Sequence, residues 1–562
     1  MTKYSWIKVE GPFAVAYRPR IPEAATTSTV LGKRSSPSTQ FLIFGALLFS
    51  ILCLHLPLLR LPYFWDEAGY YVPAARDLLL SGSLIPKSTV SNAHPPLVMA
   101  WLALWWNLGG FHAIVTRAAM LVIAAFTLMG LFRLALLVAN VEVAVASTVC
   151  LAFYPVFFAQ SSLAHLDMAA AGFTLWGLRS YLEQKHRSTF AWFALAALAK
   201  ETAIVAPFAL AACEVGARFV PQVKGLFPAQ QGLRFRMAAL VAAAFPLAAW
   251  FTYHDIRTGY IFGNPEFFRY NVVSTMHPVR ILLASAMRVW QLGGYMNLWL
   301  LTIAGALAMF QPPQAAGTGS RPRIAVPVQT VFLVVIIAYV MVMGTVGGAV
   351  LARYMLPVMP LVILVWVSTL WRRVQYWKLV VAIVCAAFVA GWFVNPPYGF
   401  SLEDNLAYRD YIVLHADAER YLVQHRPTAR VLTAWPASDE VTRPYLGYVN
   451  TPLRVVQVND FSLLQVLSAA DVRSQFDVAL VFSTKYEPTH PILKGWRAWD
   501  RIKEEFFGFH VDLPPEAIAH VLGGDVIYSR TRKGQWIAVI DLQHAVEASA
   551  RPGPEAGQRS NR

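Results

Sequence analysis

The sequence predicts a polytopic α-helical membrane protein of about eleven transmembrane helices, followed by a C-terminal soluble α/β domain. Three observations carry that expectation. Hydrophobic residues make up 57% of the 562 and charged residues only 14%, and mean hydropathy is +0.47, a balance unlike that of soluble domains. The apolar residues gather in runs of bilayer length. Beyond Asn395-Pro396-Pro397 the pattern changes to short alternating stretches and an amphipathic helix.

Residues 1–40 carry Lys3, Lys8, Arg18, Arg20, Lys33 and Arg34 among Ser, Thr and Pro, and read as a cytoplasmic tail. No cleavable signal peptide is expected, because the first apolar run starts only at Phe41. Phe41–Leu59 is long enough to cross and takes the chain outward. The first outer loop, 60–112, then carries Asp66 and Glu67 among Tyr63, Phe64, Trp65, Tyr70 and Tyr71, and later His94-Pro95-Pro96. Carboxylates beside a bilayer-length segment are costly, which makes them candidates for function. The alternative is an ordinary acidic loop within an aromatic belt.

Pro96–Gly110 is short and Trp-rich, as in an interfacial helix. Further spans are expected at Ala113–Val138, Val143–Ala159, Asp167–Leu182, Phe190–Leu198, Thr202–Val220, Met237–Tyr253, Gly293–Phe310, Val328–Val346, Tyr354–Trp371 and Leu379–Val394. Alternation then puts Lys185, Arg187, Arg218, Lys224, Arg234, Arg236, Arg321, Arg323, Arg372, Arg373 and Lys378 on the inner side, as the positive-inside rule requires. The net charge of +15 is thus accounted for by membrane topology, with no groove or zinc module for nucleic acid. Cys53, Cys150, Cys213 and Cys385 fall in apolar stretches, so no disulfide framework is expected.

The membrane part spans 41–394. Residues 395–547 read as an extracytoplasmic α/β domain, with a helix at Tyr408–His425 and strands at Ala429–Trp435, Leu453–Val458 and Phe476–Phe482. Asp525–Arg532 and Gln535–Asp541 form an expected hairpin turning at Lys533-Gly534, and 548–562 a disordered tail. The expected setting is a multi-pass protein, a bacterial inner membrane fitting best, with the N-terminus cytoplasmic.

Alternation also brings several polar residues to the face of Asp66. Asp167 heads the fourth span with His165 beside it, and reads either as a site residue or as a helix-terminal carboxylate. Lys200 and Glu201 link the next two spans, as functional groups or as a snorkelling turn. Arg353-Tyr354 lies between two apolar runs, and arginine is suited to gripping phosphate. His94 is either a local hydrogen-bonding group or part of the same site.

WDEAGYYVPAARDLLLSG, HPPL, LDMAAAGF, AKETA and ARYMLPVMP, in that order, resemble the polyprenyl-phosphate-dependent GT-C glycosyltransferases, and within them the protein mannosyltransferase and aminoarabinose transferase group. The resemblance implies a GT-C-like catalytic membrane domain in which Asp66, with Glu67 as neighbour, is the catalytic carboxylate. It implies roles for Asp167, His94 and His165 in positioning the acceptor or a metal, and for Lys200, Arg353 and Tyr354 at the donor phosphate. The chain departs from the aminoarabinose transferases in having Ala93-His94 where they carry Glu-Lys.

The implied reaction moves a sugar from a polyprenyl-phosphate donor to a hydroxyl or phosphate of a lipid, glycan or protein. A positioned carboxylate takes the acceptor proton, and cations offset charge on the leaving phosphate. One base and one displacement imply inversion; a retaining hydrolase needs two carboxylates about 5 Å apart across the bond. A divalent metal ion is compatible with this chemistry and not required by it. The competing class is a lipid or glycan transporter or flippase, which would more often carry internal repeats and midplane charges. A ligand sensor would need no acidic outer loop.

Overall fold

The computed structural model describes residues 37–219, 232–317, 319–488 and 496–542. Most of the expected N-terminal tail and all of the C-terminal tail lie outside them. The described residues up to Ala46 belong to one unit. Those from Leu47 onward form the other, which contains the loop of Asp66 and the C-terminal sheet.

The helices begin with α1 (Pro37–His55), α2 (Val72–Ser81), α3 (Leu97–Gly109), α4 (Ala113–Val138), α5 (Val141–Phe153), α6 (Pro155–Gln160), α7 (Asp167–Leu182), α8 (His186–Ala199) and α9 (Val205–Phe219). They continue with α10 (Leu233–Ala242), α11 (Phe245–Thr258), α12 (Pro265–Asn271), α13 (Pro278–Gly293), α14 (Leu298–Ala308), α15 (Val326–Thr345), α16 (Met359–Arg373) and α17 (Trp377–Phe393). Helix α4 is apolar all round and buried along most of its length, as a helix inside a bundle should be.

The chain is an integral membrane protein. Among the described residues, five helical stretches are long and apolar enough to cross a bilayer: Pro37–Leu58, Ala113–Val138, Glu201–Phe219, Leu233–Thr258 and Val326–Thr345. The other expected spans form shorter helices, for local reasons. Tyr154, extended as a residue before proline prefers, ends α5 and lets α6 start at Pro155. Met296 and Asn297 take left-handed backbone at φ 48° and 67°, so α14 begins only at Leu298. The run from Tyr354 starts in a 3₁₀ turn, Ala352–Met355, and becomes α-helical only at Met359.

Between α14 and α15 lies a small pairing of β1 (Ala315–Ala316) with β2 (Gly319–Ser320). The C-terminal region follows α17 with α18 (Ala407–His425), β3 (Arg430–Ala434), α19 (Ala437–Thr442), β4 (Arg454–Val458), α20 (Leu463–Asp471), β5 (Val478–Phe482), α21 (Arg497–Phe507), α22 (Pro515–Leu522), β6 (Asp525–Arg532) and β7 (Gln535–Asp541). Its sheet runs in the order β4-β3-β5-β7-β6. Strand β3 pairs parallel with β4 and β5, while β7 runs antiparallel to β5 and β6. The β6–β7 turn uses left-handed Lys533 and Gly534, the backbone that a two-residue hairpin needs.

This sheet is not insulated from the membrane part. One continuous core joins Tyr63 and Phe64, in the loop before α2, to Tyr408 and Tyr411 of α18 and to Val478–Phe482 of β5. Tyr63 N–H donates to the Leu446 carbonyl at 3.2 Å, and Tyr448 returns a hydroxyl bond to the Tyr63 carbonyl at 3.0 Å. A Cβ on Gly69 would come within 2.8 Å of the Trp435 ring, so glycine is what permits this approach.

Candidate active site

The loop after α1 turns sharply at Trp65, whose φ of 48° is unusual for a bulky residue. Rings hold it there: Phe64, Tyr411 and Trp435 lie 5.8, 5.6 and 5.3 Å from Trp65, centroid to centroid. Asp66 follows, and residues Glu67–Tyr71 wind as a π-helix before α2, a wide turn often found at functional sites.

The two adjacent carboxylates diverge. Asp66 accepts through Oδ2 from the Arg353 guanidinium, and its side chain keeps 21% of its exposure. Glu67 is fully enclosed. It accepts from Arg117, from Phe64 N–H at 2.9 Å and from Ala164 N–H at 2.5 Å. Arg117 also donates to the carbonyls of Ser162 and Pro62, each at 2.9 Å. This clasp fastens the loop entry to α4 and to the turn before α7.

Arg353 is the hub of the other set. Besides Asp66 it meets Glu403 at 2.9 Å, His165 Nδ1 at 2.8 Å and Asp167 at 3.5 Å. Asp167 is also held by Lys200 at 2.6 Å. The Lys200 ammonium lies 3.9 Å from the centre of the Tyr354 ring, with the Arg288 guanidinium at 5.4 Å. Burial and the cations Arg353, Arg117 and Lys200 hold His165 well below its ordinary range, so the neutral ring accepts from Arg353. Burial pushes the Glu403 carboxyl up to about 8 against the pull of Arg353, with Asp66, Asp404 and Asp167 adding to the rise. Asp404 is raised to about 7, again chiefly by burial.

Beside this cluster is a narrow cleft lined by Tyr70, Tyr71, Asn92, His94, Met99 and Trp250 among others. Tyr71 connects cleft and cluster, its ring 5.8 Å from His94 and 5.9 Å from His165. His94 itself is paired with Glu201 at 3.0 Å.

No protein-family model and no curated protein matches the chain. Solved structures do. ArnT from Cupriavidus metallidurans bound to undecaprenyl phosphate superposes with a TM-score of 0.50 at 15% identity, covering 92% of this chain and 100% of that one. Its apo state gives 0.50 at 14% identity with the same coverage. An oligosaccharyltransferase from Archaeoglobus fulgidus, in a complex with Zn and sulfate, gives 0.42 at 11% identity, covering 78% of this chain and 67% of that one. The chain has the GT-C fold.

In this GT-C fold, Asp66, His165, Asp167, Lys200, Arg353 and Tyr354 come together, though they are scattered over nearly 290 residues of sequence (Asp66 and Arg353 lie 287 apart). His94 stands one ring away, and Glu67 belongs to the neighbouring clasp. Among the described residues His94, His165 and Asp167 do not converge as a metal-ligand set: His94 pairs with Glu201, while His165 and Asp167 both face cations, Arg353 and, for Asp167, Lys200 as well. Sequence reasoning missed Glu403 and Asp404, which follow the last helix of the membrane part. It also missed Arg280 and Arg288 on α13. Both are buried and, among the described residues, bond only to carbonyls and an amide: Arg280 to Gly347 and Gly348, Arg288 to Met343, Leu351 and Gln291. Arginines spaced by eight on one buried helical face were the signal that could have found them.

Proposed function

We propose that this chain is an inverting glycosyltransferase that moves a sugar from a polyprenyl-phosphate donor to an acceptor hydroxyl on the outer face of the membrane. The observation that carries this reading is Asp66. It is the partly exposed carboxylate in a cluster whose other acids, Asp167 and Glu403, are buried. Arg353 engages Oδ2, which leaves Oδ1 for a proton. The acceptor hydroxyl gives its proton to Oδ1 while its oxygen bonds to the anomeric carbon; the bond from that carbon to the phosphate oxygen breaks, its electron pair leaving with the polyprenyl phosphate.

Arg353 is surrounded by three carboxylates, so its role here is to orient Asp66 rather than to grip the donor. Charge for the phosphate comes from Arg288 and Arg280, which have no acidic partner among the described residues, with Lys200, already paired with Asp167, adding less. Glu67 positions the loop through Arg117. Undecaprenyl phosphate, the ligand of the superposing ArnT, fits the donor class, and the shorter helices bring the crossings to about eleven.

Support for the orientation comes from contacts that segregate as alternation requires. Expected inner residues meet inner residues: Trp371 with Glu142 at 2.6 Å, Arg372 with Arg321 at 3.0 Å, and His186 with Phe235, ring centroids 6.4 Å apart. In a cysteine-free chain, cysteine at Ser81 or Ser468 should react with an impermeant reagent from outside and cysteine at Ser188 should not; the reverse pattern overturns the orientation. For the reaction, mass spectrometry of envelope glycans and polyprenyl-phosphate sugars compares cells with and without the gene. Loss of one sugar from an acceptor with build-up of its lipid-linked form is expected. No change in either would end the transferase reading.

A further inference from the structure

A second set of ionisable residues lies in the C-terminal region and takes no part in the chemistry above. His415 and Glu419 occupy successive turns of α18, and Glu440 lies on α19. All three are buried, with Glu419 and Glu440 at 0% exposure and His415 at 1%. One ligand atom from each lies within 4.8 Å of the others. His415 Nδ1 meets Glu440 at 2.6 Å, and Glu419 stands 3.9 Å from the same nitrogen.

The hydrogen bonds of this cluster do not satisfy it. No donor reaches either oxygen of Glu419 or the second oxygen of Glu440 among the described residues, and Glu419 and Glu440 lie close enough to share a proton. A buried carboxylate without a donor costs several kcal/mol unless a proton or a cation compensates it. A proton shared by the two carboxyls would engage one oxygen of each and leave the other Glu419 oxygen without a donor. A divalent cation taking the place of the proton between Nδ1 and Glu440 would bind the Nδ1 lone pair and neutralise both carboxylates.

We propose that His415, Glu419 and Glu440 hold a divalent transition-metal ion of the zinc, manganese or iron(II) class. One imidazole with two carboxylates is a donor set for those ions. Calcium and magnesium favour all-oxygen cages, and soft ions favour thiolates, which are absent from this cluster. The ion ties α18 to α19. From there the Tyr411 ring stacks on His415 at 3.8 Å and meets Trp65 at 5.6 Å, while Trp435, just before α19, meets Trp65 from its own side. The metal therefore braces the residue immediately before Asp66, and it has no role in bond breaking.

The test uses the full chain, purified in detergent from cells grown with added zinc, and elemental analysis by mass spectrometry. Wild type and a surface control, His520→Ala, should each carry about one equivalent of one transition metal. Glu419→Gln and His415→Gln should carry less than about a tenth of that while remaining monodisperse. Metal-free wild type overturns the proposal, whatever happens to the variants. Equal metal in wild type and both cluster variants overturns it too, because the ion is then held elsewhere. If Glu419→Gln is metal-free like wild type and melts higher, a shared proton is the correct description instead.

Discussion

Asp66 and Glu67 are neighbours in the chain and each is bound by an arginine, yet their surroundings are opposite. The Glu67–Arg117 pair is closed on every side, and backbone N–H groups and carbonyls take up the remaining valences of both partners. The Asp66–Arg353 pair keeps one carboxylate partly open, and its arginine answers to more acids than it can neutralise. A fully satisfied ion pair fixes geometry. An over-subscribed one at the edge of a cleft leaves a basic oxygen available for proton transfer. Sequence adjacency therefore says little about shared role.

The sharpest way to break this comparison is Asp66→Asn. It keeps the shape and removes the base, so transfer should fall by about 10²–10⁴-fold with donor binding kept. Near-normal turnover in the purified variant would move the base elsewhere. Glu67→Gln should act on the fold instead, because it leaves the Arg117 charge buried without its partner. A loss of about 3–5 kcal/mol is expected in denaturant or thermal unfolding. If Glu67→Gln folds as well as wild type but is inactive, the two roles are reversed.

Arg288→Ala should raise the donor KM by about tenfold or more, whereas Arg372→Ala, at the expected inner end, should leave it unchanged. Equal donor affinity for wild type and Arg288→Ala removes the arginine from the phosphate site. The smallest effect concerns Glu403. Its carboxyl is raised to about 8 in the fold, so in the window from the ordinary carboxylate range up to that value the folded chain holds a proton that the unfolded chain has released. Stability therefore falls as pH rises through this window and levels off above it. The Tm of wild type should drop by a few degrees between about pH 6 and 9, and that of Glu403→Gln by less. Parallel Tm curves would show that Glu403 ionises normally.

Much of this is legible from residue order. The span read at Asp167–Leu182 is α7, and the helix and strands read beyond Asn395 are present within a residue or two. Those readings rest on local periodicity and turn residues, which report local structure directly. Asp66, Asp167, Lys200 and Arg353 stand out because charges are rare beside apolar runs. Glu403 and Asp404 give no such signal: in a polar stretch after the last helix, two acids are unremarkable. Only the packing of that stretch, with Gln160 donating to the Glu403 carbonyl at 3.1 Å, reveals them. Likewise, nothing in the spacing of Met296 and Asn297 announces the kink that shortens α14.

The path of Glu403 has a consequence for the order of synthesis. The cluster around Arg353 takes its first acid from the opening loop and another from beyond α17, and the loop itself is seated against β5, α18 and Trp435. A ribosome that has released every membrane helix has still made only an incomplete site. The chain gains its full set of acids only with Glu403, which follows α17 and precedes β3, and the loop of Asp66 gains its packing only when the later sheet strands fold against Tyr63 and Phe64. A chain cut short before Glu403 would lack one acid of the Arg353 cluster, and one cut short before β5 would lack part of the core against which Tyr63 and Phe64 pack.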